Sequence, residues 1–234
     1  MALYHDCYLF QPEEFAAAVV PHVEVMLNDP DGYESLRASA IRLFDHDPQV
    51  RELADVYGAW DRSGIETGAP TDQPQHPRDV AFWLLILLYK HLVKPEGRRL
   101  GLGNDWRLME AVLKSLGWND IEREMLVAGN DFKYLLPRVA PSGRMSFDSS
   151  ARGLEYLALI QPFATAGQAG WIDYNDTRRL LEKLTKERTG ISNAQIRGDM
   201  QTDGDSIESV YQAALEMLTA AEEKRSGLCM IVSG

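Results

Sequence analysis

Apolar residues recur along most of this chain at the three- and four-residue spacing of helices, and only its two ends break that rhythm. Residues 2–10 (ALYHDCYLF) are dense in β-formers and are bounded by Gln11 and Pro12, which predicts a short strand. Leu228–Val232 is a continuous apolar run after Gly227, the pattern of a strand buried on both faces.

Between the ends the pattern is helical. Pro12 suits a first helical turn, Glu13 and Glu14 favour its positive end, and Phe15, Val19, Val23 and Met26 follow at helical spacing. Pro21 is expected to kink this helix or end it early. Further helices are predicted over Tyr33–Phe44, Pro48–Trp60 and Asp79–Val93, the last apolar on nearly every face and so the centre of the core. A helical hairpin follows the Gly-rich stretch Lys94–Asn104. Its first helix ends at Gly117, and its second opens on the capping pair Asn119 and Glu122 and ends at Gly129. Three more helices are expected near Ala151–Thr165, Tyr174–Arg188 and Asp205–Arg225.

An unpaired strand such as Leu228–Val232 is an aggregation hazard, so the two terminal strands are expected to pair. The fold class that results is mainly α (α+β): a multi-helix orthogonal or bundle-like body with a small sheet formed by the N- and C-terminal strands. Residues 1–234 read as a single helical domain. Within it, 61–78 is a long loop or mobile linker, rich in Gly and Pro and poor in large apolar residues.

Composition narrows the class. Hydrophobic residues make up 45% and charged residues 25%, as in an ordinary globular protein with a core of its own. Two cysteines, Cys7 and Cys229, are too few for a disulfide framework and favour a reducing compartment. The first basic residue is Arg37, so a signal peptide's positive segment is missing. The longest apolar run, Val80–Tyr89, is half a membrane span. A soluble, cytoplasmic protein without a membrane partner is expected.

Charge placement adds a candidate surface. The net charge is −11, and the acidic residues up to position 34 have no basic residue among them. Glu13, Glu14, Glu24, Asp29, Asp31 and Glu34 are the candidate docking residues for a partner with a basic surface. Trp60, just before the long loop, is the candidate aromatic anchor. Nucleic acid is not the expected partner. The second helix of the hairpin has the outline of a groove reader but carries Asp120, Glu122 and Glu124 against Arg123, and phosphate repels it.

Other constellations offer weaker chemistry. Arg98 and Arg99, with Gly101 and Gly103 before a helix start, could cradle an anion, although Asp105 would face it. Asp199, Asp203 and Asp205 surround Gly204 as an oxygen cluster, but Val210 stands where a calcium loop needs its last ligand. The turn at 169–176 likewise lacks calcium ligands, and Asp173 and Asp176 read as helix caps. His5 and Cys7 alternate onto one face of the first strand, a faint outline of a nucleophile and its base. No zinc-ligand spacing occurs, and no cofactor is expected. The reading is a non-enzymatic interaction module of the immunity, inhibitor or adaptor type. The alternative is an enzyme or small-ligand binder whose pocket is assembled from distant residues.

Overall fold

The computed structural model describes residues 4–29, 32–57, 77–95, 99–135, 168–191 and 204–233. It is mainly helical with one small sheet. The elements are β1 (Tyr4–Phe10), α1 (Pro12–Asn28), α2 (Tyr33–His46), α3 (Pro48–Val56), α4 (Pro77–Lys90), β2 (Leu100–Gly103), α5 (Trp106–Ser115), α6 (Asp120–Val127), β3 (Gln168–Ile172), α7 (Tyr174–Lys186), α8 (Arg188–Ile191), α9 (Gly204–Glu223) and β4 (Gly227–Ser233). A 3-10 turn covers Phe132–Tyr134. The described residues group into two compact units.

The helical unit comprises α1 to α4 and the turn after Asp131. α4 is its axis. Val80 and every residue from Trp83 to Tyr89 are buried, so this helix packs all round, as its unbroken apolar run requires. α2 lays Tyr33, Leu36, Ala40 and Phe44 on one buried stripe, and Tyr33 stacks on Trp83 with ring centroids 6.1 Å apart. The α2–α3 corner is held by polar bonds. Asp47 accepts from the backbone N–H groups of Gln49 and Val50 and pairs with Lys90 at 2.6 Å. That pair holds the Asp47 carboxyl below its ordinary pKa. The Gln49 amide donates to the Tyr89 and Leu92 carbonyls, at and just beyond the end of α4.

Of the two outcomes expected at Pro21, an early end does not occur: α1 continues through it to Asn28. It lies on the solvent-facing side, so water can serve the Ala17 carbonyl that proline leaves without a partner.

The sheet unit contains all four strands, in the order β2-β1-β4-β3. The terminal strands pair as expected, antiparallel over seven residues from Tyr4↔Ser233 to Phe10↔Gly227. This register sets Cys7, Leu9, Leu228 and Met230 on one face, under a core supplied by α5, α6, α7 and α9. Tyr8, Phe10, Cys229 and Ile231 on the opposite face are buried as well. The ladder is closed at one end by the buried Ser226 hydroxyl. It accepts from the Phe10 N–H at 3.1 Å and donates to the Phe10 carbonyl at 3.0 Å.

Two strands escaped the sequence reading. β2 occupies part of the Gly-rich stretch expected to be a loop, and β3 occupies the segment read as a turn before α7. β2 is four residues long, and its register with β1 shifts between His5 and Cys7, which blunts it as a sheet edge. Beyond β3, Asn130 exchanges two backbone hydrogen bonds with Trp171, at 2.7 and 3.0 Å. Trp171 is thus fully buried within β3. The helix predicted at Ala151–Thr165 and most of the 61–78 loop lie outside the described residues. Pro77 and Arg78 already belong to α4.

The hairpin glycines give a matched test of these contacts. Gly117 and Gly129 both have left-handed φ, +79° and +75°, but a Cβ on Gly117 would meet nothing within 4 Å. One on Gly129 would lie 2.5 Å from the Trp171 nitrogen. Gly117→Ala is expected to cost about 1 kcal/mol, the left-handed penalty alone. Gly129→Ala should cost at least about 2 kcal/mol more, because the Asn130–Trp171 bridge must move. Equal losses in urea titration would mean that this bridge does not form.

Candidate functional site

The first candidate surface is α1, whose exposed positions are Glu13, Glu14, Ala17, Pro21, Glu24 and Val25. At 100° per residue these six lie within about 120° of one another around the helix axis, so they form a single outward stripe. The buried positions Phe15, Val19 and Val23 fill the opposite side. The stripe therefore has an apolar seam of Ala17, Pro21 and Val25, edged by carboxylates near both ends. Asp29 and Glu34 are also exposed, and Glu34 pairs with Arg37 at 3.3 Å. Asp31 and Trp60 lie outside the described residues.

The arginine–glycine stretch is built differently from a phosphate cradle. Arg99 forms two hydrogen bonds with the Asp6 carboxylate, at 2.6 and 3.1 Å, and its guanidinium lies 4.1 Å from the Tyr4 ring centroid. Asp6 is buried, so this pair ties the start of β2 to β1. Gly101 and Gly103 belong to β2 itself. A Cβ on Gly101 would fall 2.3 Å from the His5 carbonyl, so the glycine serves strand contact. Arg98 lies outside the described residues.

His5 and Cys7 do share a face of β1, but neither is available for chemistry. His5 is wholly buried. Its Nε2–H donates to the Val127 carbonyl at 2.8 Å, and its Nδ1 accepts from the Leu102 N–H at 3.0 Å. Because Val127 can only accept and Leu102 can only donate, the ring is held as the neutral Nε2–H tautomer. Burial drives its pKa down to about 4, against the opposing pull of the Val127 bond and of Asp6. Burial also pushes both cysteine thiols far above their ordinary pKa, so no thiolate forms. Cys7 faces Met230 across the ladder while Cys229 faces Tyr8, which places the two thiols on opposite sides of the sheet. They are free cysteines and cannot bridge.

Of the acidic oxygen cluster, Asp199 and Asp203 lie outside the described residues, and Asp205 falls in the first turn of α9. Among the described residues no group of three or more His, Cys, Asp and Glu side chains converges on a metal position. Asp173 caps α7 as expected, accepting from the Asp176 N–H at 2.8 Å. The α5–α6 hairpin buries Met125, Leu126 and Val127 in the core, and Glu122 binds Lys183 of α7 at 2.5 Å.

A groove of about 500 Å³ runs along the outer face of α9, with the Gly-rich stretch after Lys94 as its other rim. Pro95, Leu100 and Leu215 supply its apolar wall, and Glu216, Thr219 and Glu223 its polar one. In the sequence Leu215 belongs to the apolar stripe of α9, and Glu216, Thr219 and Glu223 to its polar complement, which nothing distinguishes from a solvated face. No helix of the described residues is long and apolar enough to cross a membrane.

No family model matches this chain, and neither a curated protein nor a solved structure is similar to it.

The buried imidazole gives a pH dependence with a defined sign. Its folded pKa of about 4 lies below the ordinary 6.5, so between these values the unfolded chain takes up a proton that the folded chain refuses. The His5 contribution is intact above pH 6.5, declines as the pH falls, and is fully lost by about pH 4. At 1.4 kcal/mol per pKa unit it amounts to about 3 kcal/mol. Chemical denaturation of the wild type at pH 7 and pH 4.5, beside His5→Gln, should show a smaller acid loss in the variant. An identical loss in both would show that His5 is not held neutral.

The thiols provide a second check. In the native protein neither cysteine should react with a thiol-specific reagent over minutes, whereas two equivalents react in denaturant. Fast labelling of Cys7 in the folded state would contradict its burial.

Proposed function

We propose that this chain is a non-enzymatic interaction protein of the immunity, inhibitor or adaptor type, docking a partner with a basic surface through the outward face of α1. The observation that carries this reading is the α1 stripe. Glu13, Glu14 and Glu24 share one side of the helix with Ala17, Pro21 and Val25, and no basic residue precedes Arg37. A seam of small apolar side chains with a charged margin has the layout of a protein interface, in which a desolvated centre is surrounded by a polar rim. Exposed carboxylates gathered on one face accelerate encounter with a cationic surface and discriminate against anionic ones. Val25 is 42% exposed, so a partner gains apolar contact at the C-terminal end of the seam.

The test is charge reversal. Proteins retained from extract by the wild-type chain at low salt should elute steeply as salt rises, and the triple variant E13K/E14K/E24K should retain none of them. Reversal of Glu208, Glu216 and Glu223 on α9, which gives the same net charge, should leave retention intact. Equal retention by the α1 variant, or equal loss with the α9 variant, would remove α1 as the docking face.

The groove on α9 supports a second reading, the binding of a small ligand, because its volume falls within the range of small-molecule sites. Thermal-shift measurements against nucleotides, phosphates and divalent metals test it. A shift that is abolished by filling the groove with Leu215→Trp, in a variant that still folds, would favour ligand binding. No shift from any compound would count against it.

A further inference from the structure

We draw no further inference here: the strongest candidate, the groove between α9 and the Pro95–Leu100 stretch, belongs to the ligand reading already given, and nothing in the structure shows what would fill it.

Discussion

The seven-residue ladder between the two ends of the chain is the constraint on which the sheet unit depends. β1 and β4 are separated by more than two hundred residues, yet each is the other's full-length neighbour, and β2 and β3 can only be added at their outer sides. Bringing such distant segments together has a large loop-closure cost that local contacts do not offset. What offsets it is burial on both faces. Six of the seven residues in each strand are buried, and full burial of each large apolar side chain contributes roughly 1.5–3 kcal/mol.

A sheet buried on both faces constrains its polar groups severely, and this accounts for the roles taken by the residues that look reactive in the sequence. His5 and Asp6 are carried into the interior by the strand that holds them, and each must be satisfied there. His5 does so by bridging two backbone groups, the Leu102 amide and the Val127 carbonyl, and so links β1 to β2 and to the end of α6. Asp6 does so through Arg99, whose guanidinium remains more than half exposed. The pair then needs only one charge desolvated, which is less costly than burying two. The base and the anion binder that the sequence suggests, His5 and Arg99, thus act as fasteners of strand β1.

The parts of the fold that were legible in the sequence are those where local pattern and tertiary packing agree. α4 announces itself by an unbroken apolar run, α5 and α6 by their stripes and caps, and β1 and β4 by β-branched and aromatic density at the two ends. β2 and β3 were not legible. Leu100–Gly103 alternates leucine with glycine, and Gln168–Ile172 holds a glycine and a polar residue, so neither carries the propensity of a strand. Both exist because an adjacent strand offers them backbone partners, which is tertiary information. That α1 runs on past Pro21 was likewise not legible, because it depends on Ala17 and Pro21 lying on the exposed side, where water can serve the freed carbonyl. Of the candidate site, the acidic content of α1 was readable, but the gathering of three carboxylates beside Ala17, Pro21 and Val25 emerges only once burial fixes which way the helix faces. The Gly-rich stretch after Lys94 was readable as a loop that could rim a pocket, but that α9 supplies the facing wall was not.

Native-state hydrogen exchange on the intact chain tests the central claim, that the pairing of the two chain ends organises the sheet unit. The amides of Asp6 to Leu9 and of Leu228 to Ile231 should be among the slowest to exchange, and their opening free energies should coincide as denaturant is raised, because neither strand can open without the other. Early exchange in β1 while β4 stays protected would show that the ends fold independently, and would contradict the account.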